Sequence, residues 1–554
     1  MLSHQATSLL RGFRERSHFA QFGCSLAILL SVHLHLALTC RCSGSGVTII
    51  TQGYNSDING WITGMADAIP VYAGLSSSNF TTYRLALTTD GNGNYFYQTS
   101  RTNGVAPFAS SSGEIIVKLD WSQMAGGTGT YNLSTYNVAW AASQVLLLTN
   151  AIAELGGHAL VEFPLHLVGH SRGGSLMAEI SRLLGTNGVW IDHLTTLDPH
   201  PLNNDGNTDP FLVIDASANH VYANVLFSDN YWQDLSGVFY DPSGESVSGA
   251  YNRQLTTLPG GYNNTSSLSP DHSNVHLWYH GTTSLLTPTS DTEASLSSSE
   301  RQAWWTAYEQ QGTNAGFEYS LLGAGNRQSQ SQPVGPGYPA IVDGYNQWWD
   351  LGAGISNNRT PLSSNSGEWP SLIQLNLTST NVVPAGTALT TRLYYQYGGA
   401  FSNAALQVWL DPDSNPFNSN ESRVLQSSVT NSGLSSVYAI NASLDTSSVV
   451  PGVYRIFAVL SDGTRSRYVY APEKVQVTPA RQAPLLDIAG LASALVRVGI
   501  AGAPDSTVVL QSSTDLRNWM PLMTNTLTSS RWVYTNASPA NNAALFYRAV
   551  LRAF

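Results

Sequence analysis

The sequence predicts an α/β fold, a mostly parallel sheet with helices on both faces, followed by two all-β, sandwich-like accessory domains. Three observations predict it. Short apolar runs alternate with helical periodicities from Val47 to Leu197, one of those runs enters a helix through a Gly-x-Ser-x-Gly turn, and from about Trp369 short alternating runs are separated by turn signals. The expected boundaries are an export signal and leader over 1–45, an α/β domain over 46–365 with a loop-rich lid or cap over 203–268, a β-sandwich over 366–480, and a small β-module over 481–554.

Val47 to Gly53 (VTIITQG) is β-rich and ends in the turn Gln52-Gly53-Tyr54, after which Trp61, Met65, Ala68 and Ile69 suggest a helix. Phe80 to Leu87 and Tyr95 to Gln98 alternate aromatic with polar residues and suit a hairpin round Asp90-Gly91-Asn92-Gly93. Glu114 to Trp121 (EIIVKLDW) is a further strand. Val138, Ala142, Val145, Leu148, Ile152 and Leu155 form one stripe, predicting a helix from Val138 to Leu155. Leu165 to Val168 then reads as a buried strand and Leu176 to Leu184 as a helix, with Gly185 as its cap. Val189 to Leu197 is the next strand, and His220 to Phe227 suits another. Asp229 to Thr265 has little periodicity, and Glu300 to Gln311 (ERQAWWTAYEQQ) suggests an aromatic helix. Leu389 to Tyr397, Ala405 to Leu410, Val437 to Ala442 and Val453 to Leu460 are strand-like, as is much of Leu485 to Phe554.

Composition narrows the function. The net charge of −11 argues against a nucleic-acid partner and against docking on anionic lipid. Cys24, Cys40 and Cys42 are the only cysteines, so the chain beyond them holds neither disulfides nor a thiolate metal site. Arg11, Arg14 and Arg16 precede the apolar run Cys24 to Leu38, with small residues at 43–46, which reads as a bacterial export signal and a secreted or cell-surface protein.

The chemistry centres on Gly169-His170-Ser171-Arg172-Gly173. Glycine is 48 of 554 residues, so chance alone supplies roughly half of such a pattern per chain. The flanks carry the argument: a strand before and a helix after are what a nucleophile elbow requires. Ser171 is then the nucleophile, with an acid and a histidine to follow it in chain order. Asp198 fits the acid, since it ends the next strand 27 residues on, and parallel sheets gather reactive groups at the carboxyl ends of their strands. The histidine lies in SPDHSNVHLWYHGT (269–282), where His272, His276 and His280 are all candidates for the base. His272-Ser273 suits a loop-borne base best. The spacing i, i+4, i+8 would align three imidazoles for a metal if the stretch were helical, but Pro270, Gly281 and the β-prone Val275, Trp278 and Tyr279 argue against a helix. No metal and no cofactor are expected. Asp411-Pro412-Asp413-Ser414-Asn415 resembles the start of a calcium loop, but Pro416 stands where glycine is needed, so a turn between strands is the better reading.

Gly169 to Gly173 (GHSRG), Leu197-Asp198-Pro199 and the order Ser–Asp–His resemble the pancreatic-type lipase family of α/β-hydrolases over about residues 47–280. Gln52-Gly53-Tyr54 corresponds to that family's His-Gly-Trp strand end, and Asp120-Trp121 to its Asp-Trp. The resemblance implies an oxyanion hole formed by the backbone N–H groups of Tyr54 and Arg172. Gln52 and Tyr54 depart from the family pattern, which bears on substrate fit. The last 70 residues are similar to modules appended to secreted bacterial proteins.

The function expected is a secreted carboxylic ester hydrolase, a lipase or esterase acting on a small-molecule or polymer ester, with Ser171, Asp198 and His272 as its triad. The alternative is an inactive surface adhesin or binding protein. The C-terminal β-domains are expected to contact the cell surface or polysaccharide, and residues 365–554 to be dispensable for cleaving a soluble short-chain ester.

Overall fold

Strands dominate the computed structural model. It describes residues 45–76, 79–110, 112–127, 129–200, 220–233, 244, 246–255, 270–284, 286, 316–320, 322, 359–364, 368–433, 437–480, 483–491, 495–504, 506–537 and 544–552. The expected leader with its three cysteines, the aromatic helix at 300–311 and most of the expected lid (203–219, 234–243, 245 and 256–268) lie outside these residues.

The first unit is built on β1 (Val47–Thr51), β2 (Thr81–Thr89), β3 (Tyr95–Gly104), β4 (Ile115–Asp120), β5 (Leu165–His170), β6 (Ile191–Leu197), β7 (Val225–Trp232) and β8 (Tyr251–Gln254). They form one sheet in the order β3-β2-β4-β1-β5-β6-β7-β8. The hairpin β2–β3 is antiparallel and turns on Asp90, whose carboxylate accepts from Asn92 N at 2.8 Å and Asn94 N at 3.3 Å. The remaining pairs are parallel.

Adjacent strand residues feed opposite cores, which is why the runs are continuously apolar. Ile49, Val117, Leu167 and Leu194 face one core, shared with α2 (Thr135–Leu146) and α3 (Arg172–Thr186) through Val138, Ala142, Leu176 and Ile180. Ile50, Ile116, Val168 and Leu197 face the other, shared with α1 (Trp61–Tyr72) and α4 (Pro270–Gly281) through Ile62, Met65, Val275 and Trp278.

Three local expectations change. The helix expected over 138–155 stops at Leu146, and its later stripe residues Ile152 and Leu155 reach the core from a turn and a 3₁₀ segment that closes on left-handed Gly156. Gly185 lies inside α3, not at its cap, where a Cβ would come within 2.6 Å of the Asn224 side chain. The histidine stretch is helical after all. Pro270 is its first residue, where a missing N–H costs nothing, and burial of Val275, Trp278 and Tyr279 overrides their β preference.

The first unit also contains 390–444 and 454–474. Beside β9 (Ser371–Leu377), which precedes them, these residues supply most of β11 (Leu389–Gln396), β12 (Asn403–Asp411), β13 (Ser422–Thr430), β14 (Tyr438–Leu444) and much of β15 (Gly452–Ser461) and β16 (Ser466–Thr478). They form a sandwich-like pair of sheets, in which β14, β11 and β9 make one and β12 pairs antiparallel with β13 and β15 in the other. Its residues enter the first core: Trp369 and Phe417 are buried there, and Arg467 reaches Asp192 on β6 at 2.6 Å. Asp411 to Asn415 is a turn, with Asp413 accepting from Asn415 N at 2.8 Å and from the Asn418 and Asn420 side chains.

The second unit comprises 380–389, 445–453 and 475–554. Within it β10 (Val382–Pro384) runs parallel to the end of β16. The strands β17 (Leu485–Leu491), β18 (Leu495–Ala501) and β21 (Arg531–Ala537) form one sheet, and β19 (Thr507–Ser513), β20 (Met520–Thr526) and β22 (Phe546–Leu551) another. Val498, Ile500, Val508, Leu510 and Leu527 are their shared core.

The expected α/β class is therefore corrected, and with it the resemblance to pancreatic-type lipases. Among the described residues there are twenty-two strands and four α-helices, and the eight-stranded sheet is mixed. The protein is mostly β. The elbow motif and its neighbours weighted the sequence reading towards a stretch that is less than half of the chain, while every named element from Ser371 onward is a strand.

Candidate functional site

The site is assembled at the carboxyl ends of β1, β5 and β6. Strand β5 runs to His170, and Ser171 follows with φ +57° and ψ −129°, a backbone that side chains rarely adopt and that turns the chain directly into α3. The glycines around it are required by close approach. A Cβ on Gly169 would come within 2.1 Å of Gly173 O, and one on Gly173 within 2.4 Å of Gln52 O. Ser171 N donates to Leu197 O at 2.9 Å, which fixes the turn to the end of β6.

Asp198 directly follows that strand, fully buried and also left-handed at φ +44°. Its N–H donates to Tyr231 O at 2.7 Å, and its carboxylate accepts from Gln233 N at 3.1 Å and Gln233 Nε2 at 3.0 Å. Gly244 closes over it, since a Cβ there would lie 2.2 Å from Oδ1. His272, in the first turn of α4, places Nδ1 2.6 Å from Asp198 Oδ2. Its side chain is 14% exposed and that of Asp198 is 0% exposed. The carboxylate thus fixes one face of the imidazole while the ring keeps access to solvent. Among the described residues no hydrogen bond joins Ser171 Oγ to His272; such contacts are often long before substrate binds.

The other two histidines are placed elsewhere. His276 is buried and stacked on Trp61, with centroids 4.8 Å apart and planes 17° apart. His280 is buried near the end of α4, and its carbonyl accepts from Thr283 N and Ser284 N. Helical spacing aligns the three residues, but among the described residues no group of three His, Cys, Asp or Glu side chains could hold a metal ion.

The two expected oxyanion donors flank the serine. Arg172 is the first residue of α3, where a backbone N–H has no intrahelical acceptor. Gly53, just before Tyr54, packs so closely that a Cβ would fall 2.7 Å from Ser171 Cβ and 3.1 Å from its Oγ. Tyr54 is held from behind: a Cβ on Gly126 would meet its ring at 2.4 Å, and Asn55 N donates to Ala125 O at 3.4 Å.

Sequence reasoning passed over several contributors. The Arg172 guanidinium is buried. It donates to Thr135 Oγ1 and Asn132 Oδ1 at 3.1 Å and to Leu133 O, and lies over Trp121, so its charge organises the 125–135 segment. Gln52 is buried. With its amide oriented to satisfy both ends, it donates to Leu119 O at 3.0 Å and accepts from Trp121 N and Ser122 N at 3.1 Å. It ties the ends of β1 and β4 together, which accounts for an amide at this position. Gln233 and Gly244 carried no signal, because neither is close to Asp198 in sequence.

No family model and no curated protein matches the chain. Among solved structures, partial likenesses are found to the CARDB domain of the PF1109 protein from Pyrococcus furiosus in complex with di-metal ions (12% identity, 20% of this chain and 96% of that one, TM-score 0.14). Others are to the human OSCAR ligand-binding domain (15% identity, 32% and 88% covered, TM-score 0.14) and to a chaperone–tip adhesin complex of CFA/I fimbriae biogenesis (10% identity, 32% and 98% covered, TM-score 0.13). At these scores none of them carries weight for fold or function.

Proposed function

We propose that the protein is a serine hydrolase that cleaves carboxylic esters, a lipase or esterase working through an acyl-enzyme on Ser171. The observation that carries the reading is the 2.6 Å contact of His272 Nδ1 with the buried Asp198 carboxylate, beside a serine held at positive φ at the start of a helix. In this mechanism Ser171 Oγ attacks the acyl carbon and its proton passes to His272 Nε2. The carbonyl π electrons move onto oxygen, where the N–H groups of Tyr54 and Arg172 receive the charge. Collapse expels the alcohol, which takes the proton from the imidazolium. Water, deprotonated by the same imidazole, then releases the acid and restores Ser171. Asp198 stays ionised and orients the ring throughout.

The substrate class is a small-molecule or polymer ester. Export from a bacterial cell is supported by the N-terminal basic and apolar residues. Contact with a cell surface or polysaccharide is proposed for the C-terminal β-domains, where Leu485, Leu516 and Met520 are exposed.

The test is a fluorophosphonate probe on the purified chain, followed by peptide mapping and a short-chain ester assay. Labelling of Ser171, lost in Ser171→Ala together with about 10⁴-fold or more of the turnover, is the expected result. A folded protein with neither label nor ester cleavage overturns the reading in favour of a binding protein.

A further inference from the structure

His170, the residue before the serine, has no role in the mechanism above, yet its ring faces the base. Its Nε2 lies 3.0 Å from the main-chain carbonyl oxygen of His272, and the two imidazole centroids are 4.5 Å apart. The rest of the ring is enclosed by aromatic groups: His276 meets it edge-on at 4.6 Å and Trp61 at 6.2 Å. His276 is itself stacked on Trp61. A carbonyl oxygen can only accept, so His170 Nε2 must carry the hydrogen. Burial first, and the neighbouring His272 second, push the His170 imidazole well below its ordinary value, which agrees with a neutral ring holding its proton at Nε2.

This bond fills a gap in how the base is held. Asp198 grips the His272 side chain through Nδ1, but that contact alone leaves the backbone at the start of α4 to set how far the ring reaches towards Ser171. His170 is fixed by strand β5, whose next residue is the nucleophile, so a bond from its ring to the His272 backbone measures the base directly against the serine. A displacement of about 1 Å in such a constellation is enough to cost roughly 100-fold in rate.

We infer that His170 is a positioning residue for the proposed reaction: by donating from Nε2 to the His272 carbonyl it sets the distance between the base and Ser171. The inference rests on the acyl-enzyme reading, and the experiment separates the two. Three full-length proteins are compared for ester cleavage and for the rate of fluorophosphonate labelling: the parent chain, His170→Phe and His170→Gln. Phenylalanine keeps the ring packing against Trp61 and His276 and loses the donor. Glutamine extends its amide N–H to about the position of Nε2 and keeps it.

His170→Phe is expected to lose about 10- to 100-fold in kcat and in labelling rate with KM within about twofold. His170→Gln is expected to recover most of that loss. Equal loss in both variants, unchanged kcat in His170→Phe, or a loss confined to KM overturns the inference while leaving the acyl-enzyme reading intact. A parent chain that neither labels nor cleaves esters removes both. Histidine-selective ¹⁵N NMR of the parent chain adds a measurement that needs no variant to fold. The expected result is a His170 that carries its hydrogen at Nε2 at pH 7, and an Nδ1–H tautomer with a bare Nε2 overturns the inference.

Discussion

Asp198 Oδ2 accepts from His272 Nδ1 at 2.6 Å while Oδ2 and Oδ1 also receive the Gln233 side-chain amide and backbone N–H. The carboxylate is therefore held from two sides. One contact orients the imidazole, and the other two satisfy further acceptor positions of a fully buried carboxylate.

The pairing makes Asp198→Asn a tautomer experiment. An amide donor facing Nδ1 favours the imidazole form that cannot accept the Ser171 proton, so kcat is expected to fall about 10⁴-fold with the fold retained. Gly244→Ala should act on the same carboxylate through space, because its Cβ would lie 2.2 Å from Oδ1. Steady-state kinetics alongside circular dichroism checks both, and Asp198→Asn with parent-level kcat rules out the assigned role.

Gly53→Ala tests the turn that presents Tyr54. A methyl group 2.7 Å from Ser171 Cβ cannot be accommodated by rotating a flexible side chain, so either the turn or the serine must move. A drop of about 100-fold in kcat/KM is expected, with slower fluorophosphonate labelling. A variant that labels as fast as the parent shows that this turn does not border the reacting centre.

The elbow was legible because its constraints are local: Gly169, Ser171 and Gly173 must occupy fixed places in a tight turn, and sequence spacing expresses that directly. Asp198 was legible through strand order. His272 was preferred to His276 and His280 only for its neighbour Ser273 and an expected loop, whereas what sets the three apart in the structure is long-range: Asp198 for one and Trp61 for another. Helicity of 270–281 was hidden for the same reason, since the burial of Trp278 and Tyr279 is a tertiary effect. The class of the whole chain was misread because a strong motif in one region says nothing of the strands that fill the remainder. Arg467 reads as an ordinary strand residue, and nothing near it in sequence announces Asp192.

Glu114 gives a pH test away from the site. Its carboxyl is buried beneath β1, accepts from Gly46 N at 2.9 Å and Thr48 Oγ1 at 3.3 Å, and is pushed up to about 8 by burial. The folded chain thus keeps a proton that the unfolded chain releases near the ordinary carboxylate value. The stability that this proton carries is complete below the unfolded value, declines as pH rises towards about 8, and is lost above it. Urea unfolding between pH 5 and 9 is expected to show this decline in the parent chain and a flatter profile in Glu114→Gln, with the variant gaining relative to the parent at the alkaline end. Parallel profiles contradict the assignment.

The last prediction concerns how far the sandwich can be separated from the sheet. Arg467 is fully buried, and it donates to Val161 O at 2.7 Å, Phe163 O at 2.6 Å and Trp190 O at 2.9 Å, with Asp192 Oδ2 at 2.6 Å. Asp192 also accepts from Leu165 N, at the start of the strand that carries Ser171. Removing the guanidinium takes one donor from each of three carbonyls and leaves the Asp192 carboxylate without its counter-charge, so Arg467→Met is expected to cost about 3–5 kcal/mol of unfolding free energy. Asp192→Asn in that background should recover part of the loss by removing the stranded charge. The same bonds bear on truncation. Ending the chain after Ser364 removes Arg467 together with Trp369, whose N–H bonds to Asn187 O, and Ser371 and Asn415, whose side chains bond to Gly188 O and Pro107 O, and that product is expected to unfold or aggregate. Ending it after Ala480 removes the six strands β17 to β22, which close their own core, and ester cleavage at the parent rate is expected to survive. A soluble, fully active 1–364 product would show that the sandwich is an appendage and not part of the core that carries the site.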